Sequence, residues 1–520
     1  MNSEEKCGLE DCIPTHFNEN QIKEDLKVQM VDESKKIPSG QEVKLTTSAI
    51  NANRLGTALG FLSNGYQYEV TGVLNLLFQL EYGSQYSLFL ESSLTSALLF
   101  GVLIGQLFFG MVADIQGRKA GLVITSSFVV LGAILATASY GTSVNGLFWM
   151  MIIGRGVTGF GMGGEYTCAV TNAMEDSEQI SVVHRGKRTG LLVLCVEVLG
   201  NTTPLVIQLI LVAALHRRNS ELIWRLSYGI GIIPCLVVLF YRLRMRDSAI
   251  YSESKASSSY RNQWKDMLIV WRGYWPCILG SAITWFIRDF ETFSIGSFGA
   301  SILHEIEGAS LFTATWISLL TAALMVLEPL ASSFLIDTLG RRNVQLIGWL
   351  SLASVIAITG GTYPLLFHHA AVYVFLSIVR AALQYFLAVS IYLTPNEIFP
   401  TMYRARLYGL CSAFGKAGAA IGVHVFLSMQ QSFGGGTKGL RGIQYFDAAF
   451  AVLGFFVALL LVPELKKTSL HKCDVNFMEM CEEARSDSKG GSKVSAIVKE
   501  CMAYKLFKKI QVGETFPESI

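Results

Sequence analysis

Charge is scarce in this chain: only 16% of its 520 residues are Asp, Glu, Lys or Arg. A soluble domain carries about 25%. A chain this poor in charge cannot coat several soluble domains with solvated side chains, so its length does not translate into a string of them. Net charge is nearly absent too. The 42 Lys and Arg against 40 Asp and Glu leave +2, and no nucleic-acid partner is expected. Clustered cysteine is missing: Cys168, Cys195, Cys235, Cys277 and Cys411 fall inside apolar runs, as small buried hydrophobes do. No CxxC or Cys/His group suggests a metal site, a redox pair or a disulfide scaffold. No nucleophile or acid–base motif stands at useful spacing, which argues against an enzyme, and no cofactor is expected. The opening stretch MNSEEKCGLEDCIPTHFNENQ lacks the apolar core of a secretory signal, so insertion would rest on the first membrane helix.

What the chain has is apolar length. Hydrophobic residues make up 51% and mean hydropathy is +0.42. A helix crosses the hydrocarbon layer in roughly 20 residues, and twelve such runs are predicted: 55–80, 93–113, 120–140, 147–173, 189–215, 224–243, 274–300, 311–336, 344–366, 371–394, 407–430 and 445–463. The longest polar interruption, RLRMRDSAIYSESKASSSYRNQWKDMLIVWR, separates six spans from six. The expected fold class is an all-α membrane protein of twelve transmembrane helices in two six-helix halves. It would comprise a tail 1–50, a half 51–243, a central loop 244–272, a half 273–466 and a tail 467–520. Loops after even spans hold Arg118 and Lys119, Arg185, Lys187 and Arg188, the central basic loop, Arg341 and Arg342, and Arg404 and Arg406. Only Arg217, Arg218, Lys438 and Arg441 depart from this. Lys and Arg mark the inner side, so both termini are expected in the cytoplasm.

One signature occurs twice. Gly110-x-x-x-Asp114-x-x-Gly117-Arg118-Lys119 follows span two, and Ser333-x-x-x-Asp337-x-x-Gly340-Arg341-Arg342 follows span eight. The same charged pattern between spans two and three of each half is what a parallel internal repeat gives. Asp114, Gly117, Arg118, Asp337, Gly340 and Arg341 are therefore candidate gating residues. Span four adds Arg155-x-x-x-Gly159-x-x-x-Gly163; its crowded glycines suit close helix approach.

Over residues 51–465 the chain resembles the major facilitator superfamily. The stretches GRGVTGFGMGGEYTCAV, GSAITWFIRDFETF, PNEIFPTMYRARLYG and SAFGKAGAAIG are similar to its phosphate:proton symporter branch, and within it to the fungal glycerophosphoinositol and glycerophosphocholine permeases. The resemblance implies proton-driven uptake of an organic phosphate diester across the plasma membrane, with Glu165, Tyr166, Asp289 and Lys416 at matching positions. Departures exist. Where that branch carries Asp-x-Tyr-Asp in span one, this chain reads Asn64-Gly65-Tyr66-Gln67, and Thr167 replaces the Pro after Glu165-Tyr166. Span ten reads Gln384-Tyr385-Phe386-Leu387-Ala388 in place of Asn-Phe-Gly-Pro-Asn. These changes speak against an inorganic-phosphate site.

An ionisable group at a span centre costs about 2.5–3.5 kcal/mol on insertion scales, so each needs a partner, a cavity or a function. Ten qualify: Glu69, Arg155, Glu165, Glu197, Arg288, Asp289, Glu291, Glu328, Arg380 and Lys416. Helical spacing joins Asn64, Gln67, Tyr68, Thr71 and Asn75 into one stripe in span one. Glu69 stands about 140° from Asn64 and is read as a helix–helix partner. Span five repeats the pattern with Glu197, Asn201 and Gln208, and Pro204 is expected to kink it. An anionic diester needs a cation, and Lys416 is the first candidate, with Arg155 and Arg380 behind it. Tyr166, Gln384, Asn64, Gln67 and Trp285 complete the substrate set. Asp289, Glu165 and Glu197 are the candidate proton carriers, since carboxyls in low dielectric hold protons more readily. Trp285, Phe290, Tyr385, Phe386 and Tyr392 would suit a choline head group; Asn64, Gln67, Asn201 and Gln384 would suit inositol. Partners are then a small organic phosphate, protons and the lipid bilayer, and a monomer is expected. Inorganic phosphate transport and a non-transporting nutrient sensor on the same fold are the alternatives. The tails are expected to be disordered.

Overall fold

In a computed structural model, described at residues 47–116, 118–215, 219–245, 263–298, 310–366, 370–466, 469–486 and 501, the regular elements are all helical. In chain order they are α1 (Thr47–Tyr82), α2 (Leu88–Ile115), α3 (Arg118–Thr137), α4 (Val144–Ile180), α5 (Arg185–Leu215) and α6 (Ser220–Arg244). Then follow α7 (Gln263–Gly296), α8 (Leu311–Leu339), α9 (Arg341–Leu366), α10 (Ala370–Ile398), α11 (Arg404–Ser432), α12 (Gly436–Leu461) and α13 (Leu470–Ser486). Serine side chains start three of them. Ser87, Ser143 and Ser310 accept from the amides of Leu90, Gly146 and Thr313, satisfying donors that a helix start leaves open.

Proline explains the breaks. Pro234 and Pro329 remove an amide and crowd the carbonyl four residues back, and the helix is interrupted there, at Gly231 in α6 and at Met325–Val326 in α8. Pro204 does not behave as expected. It sits inside the unbroken segment Val196–Leu215, and the irregular turn of α5 is a π-helical stretch upstream, Leu191–Cys195.

Among the described residues nine helices are long and apolar enough to cross a membrane: α2, α3, α5, α6 and α8 through α12. The twelve predicted runs therefore do not form a uniform set. The remaining long helices, α1, α4 and α7, are diluted by polar and small residues: Asn64, Gln67 and Glu69 in α1, the glycines of α4, and Arg288, Asp289 and Glu291 in α7. Such helices are stable in a bilayer only when the polar side faces protein or a cavity.

Helices α1–α6 pack among themselves, chiefly α4 on α2 and α3 and α5 on α1; α7–α12 do likewise, chiefly α11 on α7 and α12 on α9. The two groups meet along α2–α11 and α5–α8. Glycine permits the closest approach. A Cβ at Gly159 would stand 2.0 Å from the carbonyl oxygen of Leu98, and one at Gly163 would stand 2.3 Å from that of Val102. The predicted C-terminal tail is not uniformly irregular, because α13 is a packed helix within it. Its Asp474 accepts from the amide and hydroxyl of Thr401 at 2.6 and 2.7 Å, and Phe477 packs edge-on to Tyr403.

Candidate functional site

A cavity of about 250 Å³ lies between the two helix groups. Its wall includes Thr95 near the start of α2, Gly296 at the end of α7 and Leu376 near the start of α10. It thus occupies the end of the bundle away from the signature loops. Among the residues singled out in the sequence, Arg155, Glu197, Arg380 and Gln384 reach this wall, and so do Thr71, Asn201 and Tyr392.

Beneath its floor, behind the wall residues Tyr68 and Phe293, lies Lys416, fully buried on α11. Its Nζ donates to Asp289 Oδ2 at 2.8 Å, and Arg288 Nη1 donates to Asp289 Oδ1 at 2.7 Å. The ammonium lies 4.5 Å from the ring centre of Phe293, 5.1 Å from Tyr68 and 5.6 Å from Tyr166, distances at which aromatic faces attract a cation. Tyr166 donates its hydroxyl to Glu197. Trp285 stands behind this group, its ring 4.7 Å from Tyr392 and 5.4 Å from Tyr408. The floor and the layer beneath it therefore gather two cations, Arg288 and Lys416, with two carboxylates, Asp289 and Glu197, under an aromatic frame. Arg288 and Tyr68 line the cavity and were outside the predicted set. Both carried a signal: Arg288 is an intramembrane charge, and Tyr68 belongs to the stripe of span one.

Other predicted residues lie elsewhere. Glu165 faces α3 and α6, accepting from Ser126 Oγ at 2.6 Å and pairing with Arg242 Nη2 at 2.6 Å. Helix phase accounts for this. Ten residues beyond Arg155 turn the side chain about 80° off its face, whereas eleven bring Tyr166 back within about 20°. The polar stripe of α1 is largely turned inward. Gln67 donates to Gly231 O at 3.4 Å, Asn75 donates to Thr95 Oγ1 at 2.9 Å, and Thr71 bonds Tyr228 at 3.1 Å. Asn64 is buried and off the cavity wall. Gln67 holds Arg155, whose Nη2 donates to the Gln67 carbonyl at 2.7 Å and whose Nη1 donates to its side-chain oxygen at 3.3 Å. Glu69, expected as a helix–helix partner, lines the cavity instead. Periodicity showed a polar face but not which neighbour it met.

The signature loops close the opposite end. Asp114 Oδ2 accepts from the amide of Arg406 at 2.9 Å, and Asp337 Oδ2 accepts from that of Lys187 at 2.8 Å. Each carboxylate thus caps the first turn of a helix in the other group, where amides are open and the dipole favours negative charge. Arg185 Nη2 meets Glu397 at 2.9 Å and its Nη1 pairs with Glu178; Arg404 pairs with Glu175 at 3.1 Å. Arg341 binds Glu397 at 2.7 Å and Asp337 at 3.0 Å. Gly340 ends α8 with φ +95°, and a Cβ there would lie 2.5 Å from the Glu464 carboxylate, which accepts from the amides of Arg341 and Arg342. Gly117 and the side chains of Arg118 and Tyr385 lie outside the described residues. A second internal repeat was overlooked: Arg185-Gly-Lys187-x-x-Gly190 matches Arg404-Ala-Arg406-x-x-Gly409, and these are the helix starts that the signature aspartates cap.

The family model of the sugar (and other) transporters matches residues 55–261 and 249–477. The chain is 31% identical to glycerophosphoinositol permease 1 of Candida albicans over 431 residues, covering 81% of this chain and 80% of that protein. It is 26% identical to glycerophosphoinositol transporter 1 of Saccharomyces cerevisiae over 484 residues, covering 90% of each. In fold it is similar to the proton:xylose symporter XylE of the major facilitator superfamily bound to 6-bromo-6-deoxy-D-glucose. The TM-score is 0.71 and the identity 16%, covering 83% of this chain and 99% of that one.

Proposed function

Because the chain belongs to the sugar (and other) transporter family, whose members move solutes rather than transform them, we propose that it is a proton-coupled importer of glycerophosphodiesters. The observation that carries this reading is Lys416, a buried ammonium paired with Asp289 just behind the wall of a cavity between two helix groups, beside the wall residue Arg288. A lone intramembrane cation is costly; here Lys416 and Arg288 stand with Asp289 and Glu197, so protonation of one carboxylate would leave one positive charge for the single negative charge of a phosphodiester. The two fungal relatives, a glycerophosphoinositol permease and a glycerophosphoinositol transporter, support the same class of solute.

In this reading α1–α6 and α7–α12 are the two six-helix halves, the twelve long helices span the plasma membrane, and the basic signature face is cytoplasmic. The cavity then opens outward while Arg185, Arg404, Asp114 and Asp337 hold the cytoplasmic end shut. The halves rock about the α2–α11 and α5–α8 seams to expose the cavity inward. In this reading Asp289 or Glu197 exchanges a proton as the anion arrives or leaves. Glu165, paired with Arg242, serves to hold α4 against α6. Arg155 and Arg380 on the wall, with Gln384, take the rest of the polar solute.

The test is uptake of labelled glycerophosphocholine and glycerophosphoinositol by cells expressing the protein. Inorganic phosphate, a sugar and an organic cation serve as competitors. Uptake should fall at alkaline pH and with a protonophore, and only the diesters should compete strongly. Competition by inorganic phosphate alone would replace the substrate, and absence of transport with normal surface expression would favour a sensor.

A further inference from the structure

Arg380 of α10 reaches the cavity wall, and two carboxylates from two other helices converge on it. Its Nη2 donates to Glu291 Oε1 of α7 at 3.1 Å and to Asp447 Oδ2 of α12 at 2.9 Å. Its Nη1 donates to Gln444 Oε1 at 2.9 Å, and Gln384 Nε2 donates to Glu291 Oε1 at 3.4 Å. Glu291 and Asp447 are fully buried, and their second oxygens, Glu291 Oε2 and Asp447 Oδ1, accept no hydrogen bond. One guanidinium faces two carboxylates, so the fully ionised set carries an excess negative charge inside the bundle. Charge is strongly disfavoured there unless paired or neutralised.

Among the described residues nothing else nearby balances it. On α7, Arg288 and Asp289 pair with each other and with Lys416 of α11. Helix α9, packed on α10 and α12, has no charged residue beyond Arg342. The charged groups acting on Glu291 and Asp447 are Arg380 and, for Glu291, Asp447 itself. Two carboxylates sharing one cation do not both ionise readily.

We propose that Glu291 and Asp447 share one proton, forming a proton-binding site linked to the transported anion through Arg380. A hydronium ion in the cavity passes its proton to one carboxylate, one of its O–H bonds breaking as the new O–H bond forms and water remaining, and this frees the guanidinium from that carboxylate. Arg380 then turns a donor toward an anion in the cavity. Loss of the proton returns Arg380 to both carboxylates. No other bond forms or breaks. The inference rests on the reading of the chain as a proton-coupled anion importer.

The test compares wild type with Glu291→Gln and Asp447→Asn, using whichever labelled solute of the panel above the wild type carries. For one linked proton, the wild-type KM should rise by up to about tenfold per pH unit above the site's pKa. An amide at either position mimics the protonated acid. Each variant should therefore show a KM that rises less steeply with pH, by up to about tenfold per unit, accumulate less solute under a pH gradient, and keep exchange of labelled for unlabelled solute. Wild-type pH dependence surviving in both variants would overturn the site while leaving the substrate reading intact. Failure of both variants to reach the membrane would overturn it too, because an amide should reproduce the neutral form. Wild-type uptake indifferent to pH would overturn this site and proton coupling together.

Discussion

Lys416 carries the functional reading at the scale of the single residue. Removing one partner of a buried ion pair costs about 3–5 kcal/mol when the other charge is left alone. Asp289 is not left alone here, because Arg288 remains on its second oxygen. Lys416→Ala should therefore leave surface expression intact and abolish diester uptake. Retained uptake, measured beside surface biotinylation, would remove Lys416 from the site. Lys416 was legible in the sequence as a charge in mid-span matching a family position. Glu291 was legible only as a charge, and Asp447 was not singled out at all. It stands near the middle of the apolar helix α12, and only the fold brings it to Arg380.

Single helices show the same division between pattern and placement. The glycines of α4 announced close packing, and the structure supplies the neighbour. A side chain at Gly159 would meet the backbone of α2 at Leu98, which cannot yield as a flexible side chain does. Gly159→Val should destabilise by at least the roughly 1–3 kcal/mol of overpacking, seen as a lower Tm of detergent-purified protein. Gly361→Ala, with nothing within 4 Å of its Cβ, should leave Tm unchanged. Helix α1 shows where pattern runs out. Its polar stripe follows helical spacing, yet Gln67 and Asn75 are spent on hydrogen bonds inside the bundle, while Glu69, off the stripe, lines the cavity. Interhelix hydrogen bonding and cavity lining both require polar residues at helical intervals, so period alone does not separate them.

At the scale of the whole bundle, the described helices are sealed at one end by charges and enclose a cavity at the other. Arg185 and Arg404 are the reciprocal locks of that seal, each starting a helix in one group and pairing with a glutamate of the other. Helix α13 lies against it: the amide of Leu470 donates to Glu178 at 2.7 Å, and Cys473 donates to the Glu397 carbonyl at 3.3 Å. Burial pushes the Cys473 thiol up to about 12, so it holds little reactive thiolate at neutral pH. Arg185→Ala combined with Arg404→Ala should open this face, and alkylation of Cys473, followed by peptide mass spectrometry, should speed up several-fold. An unchanged rate would mean that the paired arginines do not hold the face closed.

The sequence by itself determined the class of molecule, the repeated signature and the set of charges kept where they are costly, because hydropathy and helical period are local properties of the chain. The tertiary structure decided which of those charges meet. It seated Lys416 against Asp289, turned Glu165 toward Arg242, brought Glu291 and Asp447 to one arginine, and set each signature aspartate on a helix start in the opposite group. Pairing depends on helix rotation and on contacts between residues tens to hundreds of positions apart, as with Asp114 and Arg406, and no local pattern records those.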